Sequence, residues 1–286
     1  MRASDFAQTR QLILLSVGLW LLAVFANTLV LAYPSQMSLS IGQRAVVASL
    51  AAPVPGCRIL LVGSSPVVFG LRAADLQAAT GCRAVNLGAL AVAHVLNDHL
   101  GNMLAHARAG DTVVLSDRLW TQPSAELPSC EGGSTPRCLM SWFRLAPNLN
   151  ETLLKLRGAT VRRDAFGDLS LFPDLPSDPS RPQDSALDNL AFRLQRIEGQ
   201  VRAIRASGAR PLLAPVPVLV RPESRQMVER DLASLSALVA ARVGPGVWLT
   251  PIVNTDAAAT TLDGQHASPA GRRQWTAQIA AALATP

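Results

Sequence analysis

Two short stretches, far apart in the chain, carry residue types that can perform covalent chemistry. Ser64 and Ser65 directly follow an apolar run that ends at Gly63, and Asp263 and His266 lie close together near the end of the chain. A serine hydroxyl is a poor nucleophile unless a nearby base takes its proton, and a carboxylate usually orients that base. The combination predicts a serine nucleophile served by a His–Asp pair. Residue types alone leave open which of the two serines it is.

The position of His266 sets it apart from the other three histidines. Those three fall within a predicted helix over residues 91–109: His94, His99 and His106. Their spacing does not place them on one helix face, and we interpret them as partly buried or surface polar positions. His266 instead lies in the loop before the last predicted helix, for which Ser268 is the expected cap and Pro269 the expected first residue.

Strands and helices alternate through most of the chain, which predicts an α/β fold with a parallel sheet. Predicted strands cover residues 58–63, 84–87, 112–116, 211–218 and 247–252. Predicted helices cover residues 73–79, 91–109, 186–207, 224–242 and 269–283. Because the carboxyl ends of parallel strands share one edge, the loops after the first and last strands should bring Ser65 and His266 to the same side.

Residues 121–185 interrupt this alternation with stretches rich in Pro, Ser and Gly. We interpret them as an insertion over the carboxyl edge of the sheet. Such an insertion either shapes a substrate site or only covers apolar surface, and both interpretations stay open. The expected organisation is a cytoplasmic stub and anchor over residues 1–35, a connector over 36–56, and one α/β domain over 57–286.

The N-terminal segment determines the expected compartment. Residues 12–33 contain no charged side chain and are long enough to cross a bilayer as a helix. Arg2 and Arg10 precede them, which favours a cytoplasmic N-terminus and an exported body. A signal peptide cleaved after Ala32 is the alternative, although the apolar segment exceeds the usual signal core of about 7–15 residues. The sequence thus predicts a single-pass membrane protein with a cytoplasmic N-terminus and an exported main domain.

Four cysteines agree with export to an oxidising compartment. Cys57 and Cys82 each precede a predicted strand, and two neighbouring parallel strands would bring them together as a disulfide. Cys130 and Cys138 bracket a turn-rich loop that a second disulfide would close. Four cysteines allow three pairings, so this pairing is a hypothesis. No histidine lies near either pair, and the sequence indicates no metal site.

The charge pattern excludes one class of partner. The net charge is +6, but the arginines are scattered and the aromatic residues are few, which is not the footprint of a nucleic-acid-binding protein. A basic surface near a membrane favours anionic lipids or glycans, and a solvated arginine-rich surface is the simpler interpretation. Nothing in the sequence indicates a metal or an organic cofactor.

Three blocks of sequence resemble the SGNH (GDSL-like) hydrolase superfamily, and in particular its membrane-anchored branch that acts in O-acetylation of exported polysaccharides such as alginate. The first block, where the third residue of the motif is the nucleophile in the family, corresponds to Gly63-Ser64-Ser65-Pro66. The second, whose glycine amide binds an oxyanion, corresponds to Asn86-Leu87-Gly88. The last, an Asp-x-x-His motif, corresponds to Asp263-Gly264-Gln265-His266.

The resemblance implies a flavodoxin-like, three-layer SGNH domain with a triad of Ser65, His266 and Asp263. It implies that the backbone amides of Ser65 and Gly88 bind the oxyanion. It also implies a function: acetyl transfer through an acyl-serine to an exported polysaccharide, with a multi-pass membrane acyltransferase as partner. The alternatives are an anchored carbohydrate acetyl-esterase and a non-catalytic glycan-binding or scaffold subunit.

One block of the family pattern is different in this chain. The hydrolases have Gly-x-Asn-Asp after the third strand, where the Asn is an oxyanion donor, and this chain has Leu115-Ser116-Asp117-Arg118. Acetyl-transferring members of the family also tend to lack that Asn, so the difference favours them. It leaves one oxyanion donor unassigned. Arg118 is a candidate substitute, and Asp117 is a candidate for a purely structural role.

Overall fold

The structure, a computed structural model, describes residues 3–32, 46–47, 50, 56–89, 96–121, 164–168, 189–256 and 266–284. Its helices are α1 (Ala3–Ala32), α2 (Ser65–Gly70), α3 (Ala73–Thr80), α4 (Leu96–Leu104), α5 (Leu190–Ala206), α6 (Arg225–Val243) and α7 (Pro269–Ala284). Its strands are β1 (Arg58–Gly63), β2 (Arg83–Asn86), β3 (Thr112–Ser116), β4 (Arg210–Leu213), β5 (Val218–Leu219) and β6 (Val253–Asn254). Short 3-10 turns cover Arg118–Trp120 and Pro222–Ser224.

Four of these strands form a parallel sheet in the order β2-β1-β3-β4. Every residue of β1 is buried, as expected when a continuous apolar run forms a central strand of a parallel sheet. The predicted α/β class with a parallel sheet is confirmed. The strand order is compatible with a flavodoxin-like fold, whose first four strands have this arrangement.

Helices cover both faces of this sheet. On one face, α4, α5 and α6 pack against strand residues such as Leu60 and Leu115. On the other face, α2, α3 and α7 pack against Leu61 and Val114. Because successive residues of a strand point to opposite faces, β1 and β3 contribute to both cores. The sheet is therefore the middle of three layers.

The last two predicted strands are shorter than the sequence indicates. The fourth is divided into β4 and β5 by a loop that contains Pro215 and Pro217, which have no amide hydrogen to donate to a neighbouring strand. The fifth, predicted over residues 247–252, pairs with β4 only at Trp248, and Pro251 stops further pairing before β6 joins β5. The sheet of β1 to β4 therefore has four strands rather than the predicted five.

The helix predicted over residues 91–109 is also shorter, because α4 ends at Leu104. The amides of His106 and Ala107 bond to carbonyl groups three residues earlier, which tightens the last turn. The chain then leaves the helix, and the carbonyl oxygen of His106 accepts a hydrogen bond from Arg58 Nη2 at 3.1 Å. A contact with a distant strand thus ends a helix whose local sequence would continue it.

The helix α1 exposes much of its apolar surface. The exposed large side chains among its described positions include Leu12, Ile13, Leu14, Leu15, Trp20 and Phe25. Among the residues that the structure describes, no helix is both long enough and apolar enough to span a membrane. The transmembrane anchor predicted over residues 12–33 is therefore not supported by the structure.

The disulfide predicted between Cys57 and Cys82 is confirmed. The two Cα atoms lie 4.9 Å apart, and the bond ties the chain just before β1 to the chain just before β2. The strands continue from there in register, with Arg58 opposite Arg83. The second predicted pair, Cys130 with Cys138, lies outside the described residues.

A buried ion pair joins the amino ends of β1 and β3. Arg58 donates from Nε to Asp111 Oδ1 at 2.9 Å and from Nη2 to Asp111 Oδ2 at 2.5 Å. Arg58 Nη1 also donates to the carbonyl oxygen of Leu50 at 3.1 Å, and the amide of Arg108 donates to Asp111 Oδ2 at 2.7 Å. Both charged side chains are at most 5% exposed. Loss of either partner would leave the other charge buried and uncompensated.

We expect Asp111→Asn to lower the free energy of unfolding by about 3 kcal/mol, because it leaves the Arg58 guanidinium buried without a counter-charge. Urea unfolding of the purified chain measures this change. The control is Glu229→Gln, which removes the charge from an exposed pair in which Arg225 Nε lies 2.7 Å from Glu229 Oε1. That change should cost about 1 kcal/mol or less. Equal losses in the two variants would contradict the prediction.

Candidate functional site

Polar side chains gather at the edge of the sheet where β1, β2 and β3 end. Gly63, the last residue of β1, lies opposite Ser116, the last residue of β3. Ser64 directly follows β1, Asn86 is the last residue of β2, and Asp117 directly follows β3. Because the strands are parallel, these ends share the carboxyl edge, where the sequence predicts the site.

The structure brings His266 next to the helix that begins at Ser65. Phe69 lies one turn after Ser65 on α2, and residues four apart share a helix face. The imidazole ring of His266 packs edge-on against the ring of Phe69, with centroids 4.8 Å apart and ring planes at 87°. His266 therefore lies beside the face of α2 that carries Ser65, although the two are far apart in sequence.

The complete triad is not assembled in the described residues. The hydroxyl of Ser65 makes no hydrogen bond with any described residue, so the bond to His266 that a triad uses is not formed here. Such bonds are often longer in ligand-free proteins and tighten in the substrate complex. The Nε2 atom of His266 is buried. Asp263 lies outside the described residues, and its role stays a prediction.

Gly88 packs closely against α2, and its amide already has an acceptor. The amide donates to the side-chain oxygen Oδ1 of Asn86 at 3.0 Å. A Cβ atom added at Gly88 would lie 3.0 Å from the backbone nitrogen of Val68 and 3.1 Å from Asn86 Oδ1, which favours glycine at this position. The amide can reach a substrate oxygen only if its bond to Asn86 opens. Its role as an oxyanion donor stays a prediction.

Asp117 lies in a buried polar network. It is fully buried, forms an ion pair with Arg196, and accepts hydrogen bonds from Gln200 Nε2 and from the amide of Leu119, both at 2.9 Å. These contacts agree with the interpretation of Asp117 as structural. Arg118 follows in a 3-10 turn with a half-buried side chain. It lies at the expected edge, and its role as an oxyanion donor stays a prediction.

Two buried hydroxyl groups at this edge have no hydrogen-bond partner among the described residues. They belong to Ser64 and Ser116, which are 2% and 1% exposed. Ser64 precedes α2 without capping it through its side chain, unlike most serines at that position. An unsatisfied buried hydroxyl costs about 1–3 kcal/mol, so each one requires an explanation. Sequence reasoning assigned no role to Ser116, because burial without a partner has no local signal.

We expect Ser116→Ala to raise the free energy of unfolding by about 1 kcal/mol, because it removes a buried hydroxyl that bonds to no described group. Urea unfolding measures the change. Ser268→Ala is the matched control: the Ser268 hydroxyl accepts the amide of Gly271 at 3.1 Å, at the start of α7. That variant should lose about 1 kcal/mol. A loss of stability in Ser116→Ala would contradict the prediction, because it would show that the Ser116 hydroxyl has a hydrogen-bond partner in the folded protein.

A short turn within the predicted insertion packs against β2. Asp164 Oδ1 accepts the amides of Phe166 and Asp168 at 2.9 and 3.0 Å, which fixes the shape of the turn. Gly167 has a φ of +79°, a conformation that favours glycine. The carbonyl oxygen of Phe166 accepts the backbone amide of Asn86 at 2.7 Å. Part of the predicted insertion therefore contacts the carboxyl end of β2.

This turn places the carboxylate of Asp168 in a buried position beside α3. Oδ1 accepts the amide of Ala73 at 2.9 Å and Asn86 Nδ2 at 3.2 Å, and Oδ2 accepts the amide of Ala74 at 3.0 Å. Burial raises the pKa of Asp168 above its ordinary value of 3.8 and outweighs these hydrogen bonds, which lower it. The charge of Asp164 raises it further. The sequence reasoning missed Asp168 because its surroundings are typical of a loop.

Because the pKa of Asp168 is raised in the folded protein, the free energy of unfolding should change with pH in a defined direction. The folded protein holds a proton on this carboxyl more tightly than the unfolded chain does, so its contribution to stability is complete below about pH 4 and is lost as the pH rises through the folded pKa. Urea unfolding from about pH 4 to about pH 7 should show the advantage of the unaltered chain over Asp168→Asn shrinking with pH. A constant difference over that range would contradict the prediction.

The histidines other than His266 form no second candidate site among the described residues. His99 is buried in α4, and its Nε2 lies 2.9 Å from the carbonyl oxygen of Leu87. His106 lies after α4, and His94 is outside the described residues. Among the described residues, no cluster of His, Cys, Asp or Glu side chains could hold a metal ion.

Comparison of the chain with protein-family models gives no match, and comparison with curated proteins gives none either. The resemblance to SGNH hydrolases therefore depends on the three sequence blocks. The geometry adds that His266, the last residue of the third block, packs against Phe69, one helical turn after Ser65 of the first block.

Proposed function

We propose that this protein transfers acyl groups through a covalent intermediate on Ser65, with His266 as general base and Asp263 as the carboxylate that orients it. The observation that carries the proposal is the edge-on contact between the rings of His266 and Phe69. It sets an imidazole beside the helix face that begins with Ser65. A second support is Ser65 itself, a half-buried residue whose hydroxyl bonds to no described residue.

The proposed reaction has two half-reactions. Ser65 Oγ attacks the carbonyl carbon of an acyl ester while His266 Nε2 takes the hydroxyl proton. The tetrahedral intermediate collapses as the bond to the leaving oxygen breaks, and His266 gives that oxygen the proton. An acceptor hydroxyl then attacks the acyl-Ser65 ester and gives its proton to His266. Release of the acylated acceptor returns the proton to Ser65.

The oxyanion that forms in each half-reaction needs hydrogen-bond donors. The backbone amides of Ser65 and Gly88 are the proposed donors, and Arg118 is a further candidate. Because the amide of Gly88 bonds to Asn86 Oδ1 in the free protein, binding of an oxyanion there exchanges one acceptor for another. The proposal therefore includes a local rearrangement of this turn when substrate binds.

The resemblance to polysaccharide O-acetylation proteins extends the proposal to a substrate and a location. The acyl group would be acetyl, the acceptor a hydroxyl of an exported polysaccharide, and the donor a multi-pass membrane acyltransferase. The disulfide of Cys57 and Cys82 supports an oxidising compartment such as the periplasm. Attachment to the inner membrane through residues 12–33 is part of the proposal, and the lack of charge in that segment supports it.

We expect Ser65→Ala to lower the rate of turnover by about 10³-fold or more, because it removes the nucleophile. The assays are hydrolysis of an activated acetyl ester and acetyl transfer to an oligosaccharide, both with the purified full chain. The control is Ser234→Ala, which removes an exposed hydroxyl on α6 and should leave both rates unchanged.

The two assays also distinguish the candidate activities. Transfer that exceeds hydrolysis identifies a transferase, and hydrolysis without transfer identifies an acetyl-esterase. If the folded protein shows no turnover that depends on Ser65 in either assay, both enzymatic functions are wrong. A non-catalytic domain that binds glycan or organises a membrane complex would then be the remaining function.

A further inference from the structure

We propose that Asp168 is a positioning residue for the nucleophile, acting through the side chain of Asn86 on the helix that begins at Ser65. The inference deepens the proposed function and rests on it. It links the turn at residues 164–168 to the position of Ser65, although Asp168 itself contacts neither Ser65 nor the reacting atoms in the proposed reaction.

The side chain of Asn86 joins α2 to the turn that contains Gly88. Its Nδ2 atom lies 3.3 Å from the carbonyl oxygen of Val67 and 3.1 Å from that of Leu71. Its Oδ1 atom accepts the amide of Gly88 at 3.0 Å. Asn86 is fully buried, so water cannot replace any of these contacts. The orientation of the Asn86 amide therefore sets α2 relative to the Gly88 turn.

Asp168 adds a further contact that fixes this orientation. Its Oδ1 lies 3.2 Å from Asn86 Nδ2 and is an acceptor beside that NH₂ group, in addition to the carbonyl oxygens of Val67 and Leu71. A carboxylate only accepts hydrogen bonds, so it directs the NH₂ end of Asn86 toward itself and the oxygen end toward the amide of Gly88. Without the carboxylate, the carbonyl oxygens of Val67 and Leu71 are the described acceptors that still hold the NH₂ end of Asn86, and the amide is held less firmly.

The same carboxylate holds the start of α3, which follows α2 after a two-residue connection. The amides of Ala73 and Ala74 donate to Oδ1 and Oδ2 at 2.9 and 3.0 Å. The approach of the insertion is close: a Cβ atom added at Gly167 would lie 2.3 Å from the carbonyl oxygen of Asn86. Asp168 thus fixes α2 at its carboxyl end, through both Asn86 and α3, while Ser65 lies at the other end of this short helix.

A residue that positions the nucleophile should affect the chemical step more than the binding of a small substrate. We expect Asp168→Ala to lower kcat for an activated acetyl ester by about 10- to 100-fold, with KM changed by about twofold or less. Asp168→Asn keeps one acceptor oxygen for Asn86 Nδ2 and for the amide of Ala73. Its kcat should therefore lie between those of Asp168→Ala and the unaltered chain. The control is Asp75→Ala on α3, whose carboxylate is 47% exposed, and kcat should not change.

The measurements use the purified full chain, with circular dichroism to establish that each variant is folded. Hydrogen exchange at the Gly88 amide gives a readout independent of turnover, and it should be faster in Asp168→Ala than in Asp75→Ala. If Asp168→Ala does not fold, Asp168→Asn carries the same comparison against the unaltered chain. If neither variant folds, Asp168 serves folding and the inference is overturned.

Failure of this inference can be separated from failure of the proposed function. If the unaltered chain turns over ester through Ser65 but Asp168→Ala keeps its kcat, the inference alone is wrong. Equal losses of kcat in Asp168→Ala and Asp168→Asn, together with a matching rise in KM, would show a general structural role and would also overturn it. If the unaltered chain shows no Ser65-dependent turnover, both proposals are wrong.

Discussion

The burial of β1 on both faces is the constraint on which the rest of the structure depends. Each of its six residues is shielded from water by helices, so a polar side chain along the strand would be costly unless it were fully paired. Polar chemistry is thereby confined to the two ends. The amino end carries Arg58, paired with Asp111, and the nearby disulfide, while the carboxyl end leads to Ser64 and Ser65. The amino edge ties the strands together, and the carboxyl edge carries the candidate site.

Two buried carboxylates flank the carboxyl end of β1, one beyond each neighbouring strand. Asp117 follows β3 and binds Arg196 of α5, while Asp168 lies beside the end of β2 and binds Asn86 and the start of α3. Each accepts several hydrogen bonds from separate elements, so each fixes the geometry of one side of the site. Between them lies Ser65, whose hydroxyl bonds to no described residue. Fixed surroundings of this kind limit the movement of the chain around Ser65.

The sequence predicted the bounds of two strands and one disulfide, because each has a clear pattern of residue types in the sequence. β1 and β3 have the predicted bounds, because each is an apolar run with a glycine or polar boundary. The disulfide followed from two cysteines that precede adjacent strands. The end of the helix predicted over residues 91–109 was wrong, because α4 stops before His106 contacts Arg58. Asp168 was missed, because its burial depends on partners far away in the chain. No local pattern reports such partners.

The turn at Phe166 has a consequence for the behaviour of the sheet as a whole. Among the described strands, β2 is outermost in its sheet, and outermost strands tend to recruit other chains through their outward-facing amides. Here the amide of Asn86 is bound by the carbonyl oxygen of Phe166, and the amide of Ala84 donates to Gln77 Oε1 at 3.3 Å. The turn at residues 164–168 and the Gln77 side chain of α3 thus occupy the outward-facing amides that strand addition would use. They protect the protein against edge-to-edge aggregation and keep the sheet from growing into a neighbouring molecule.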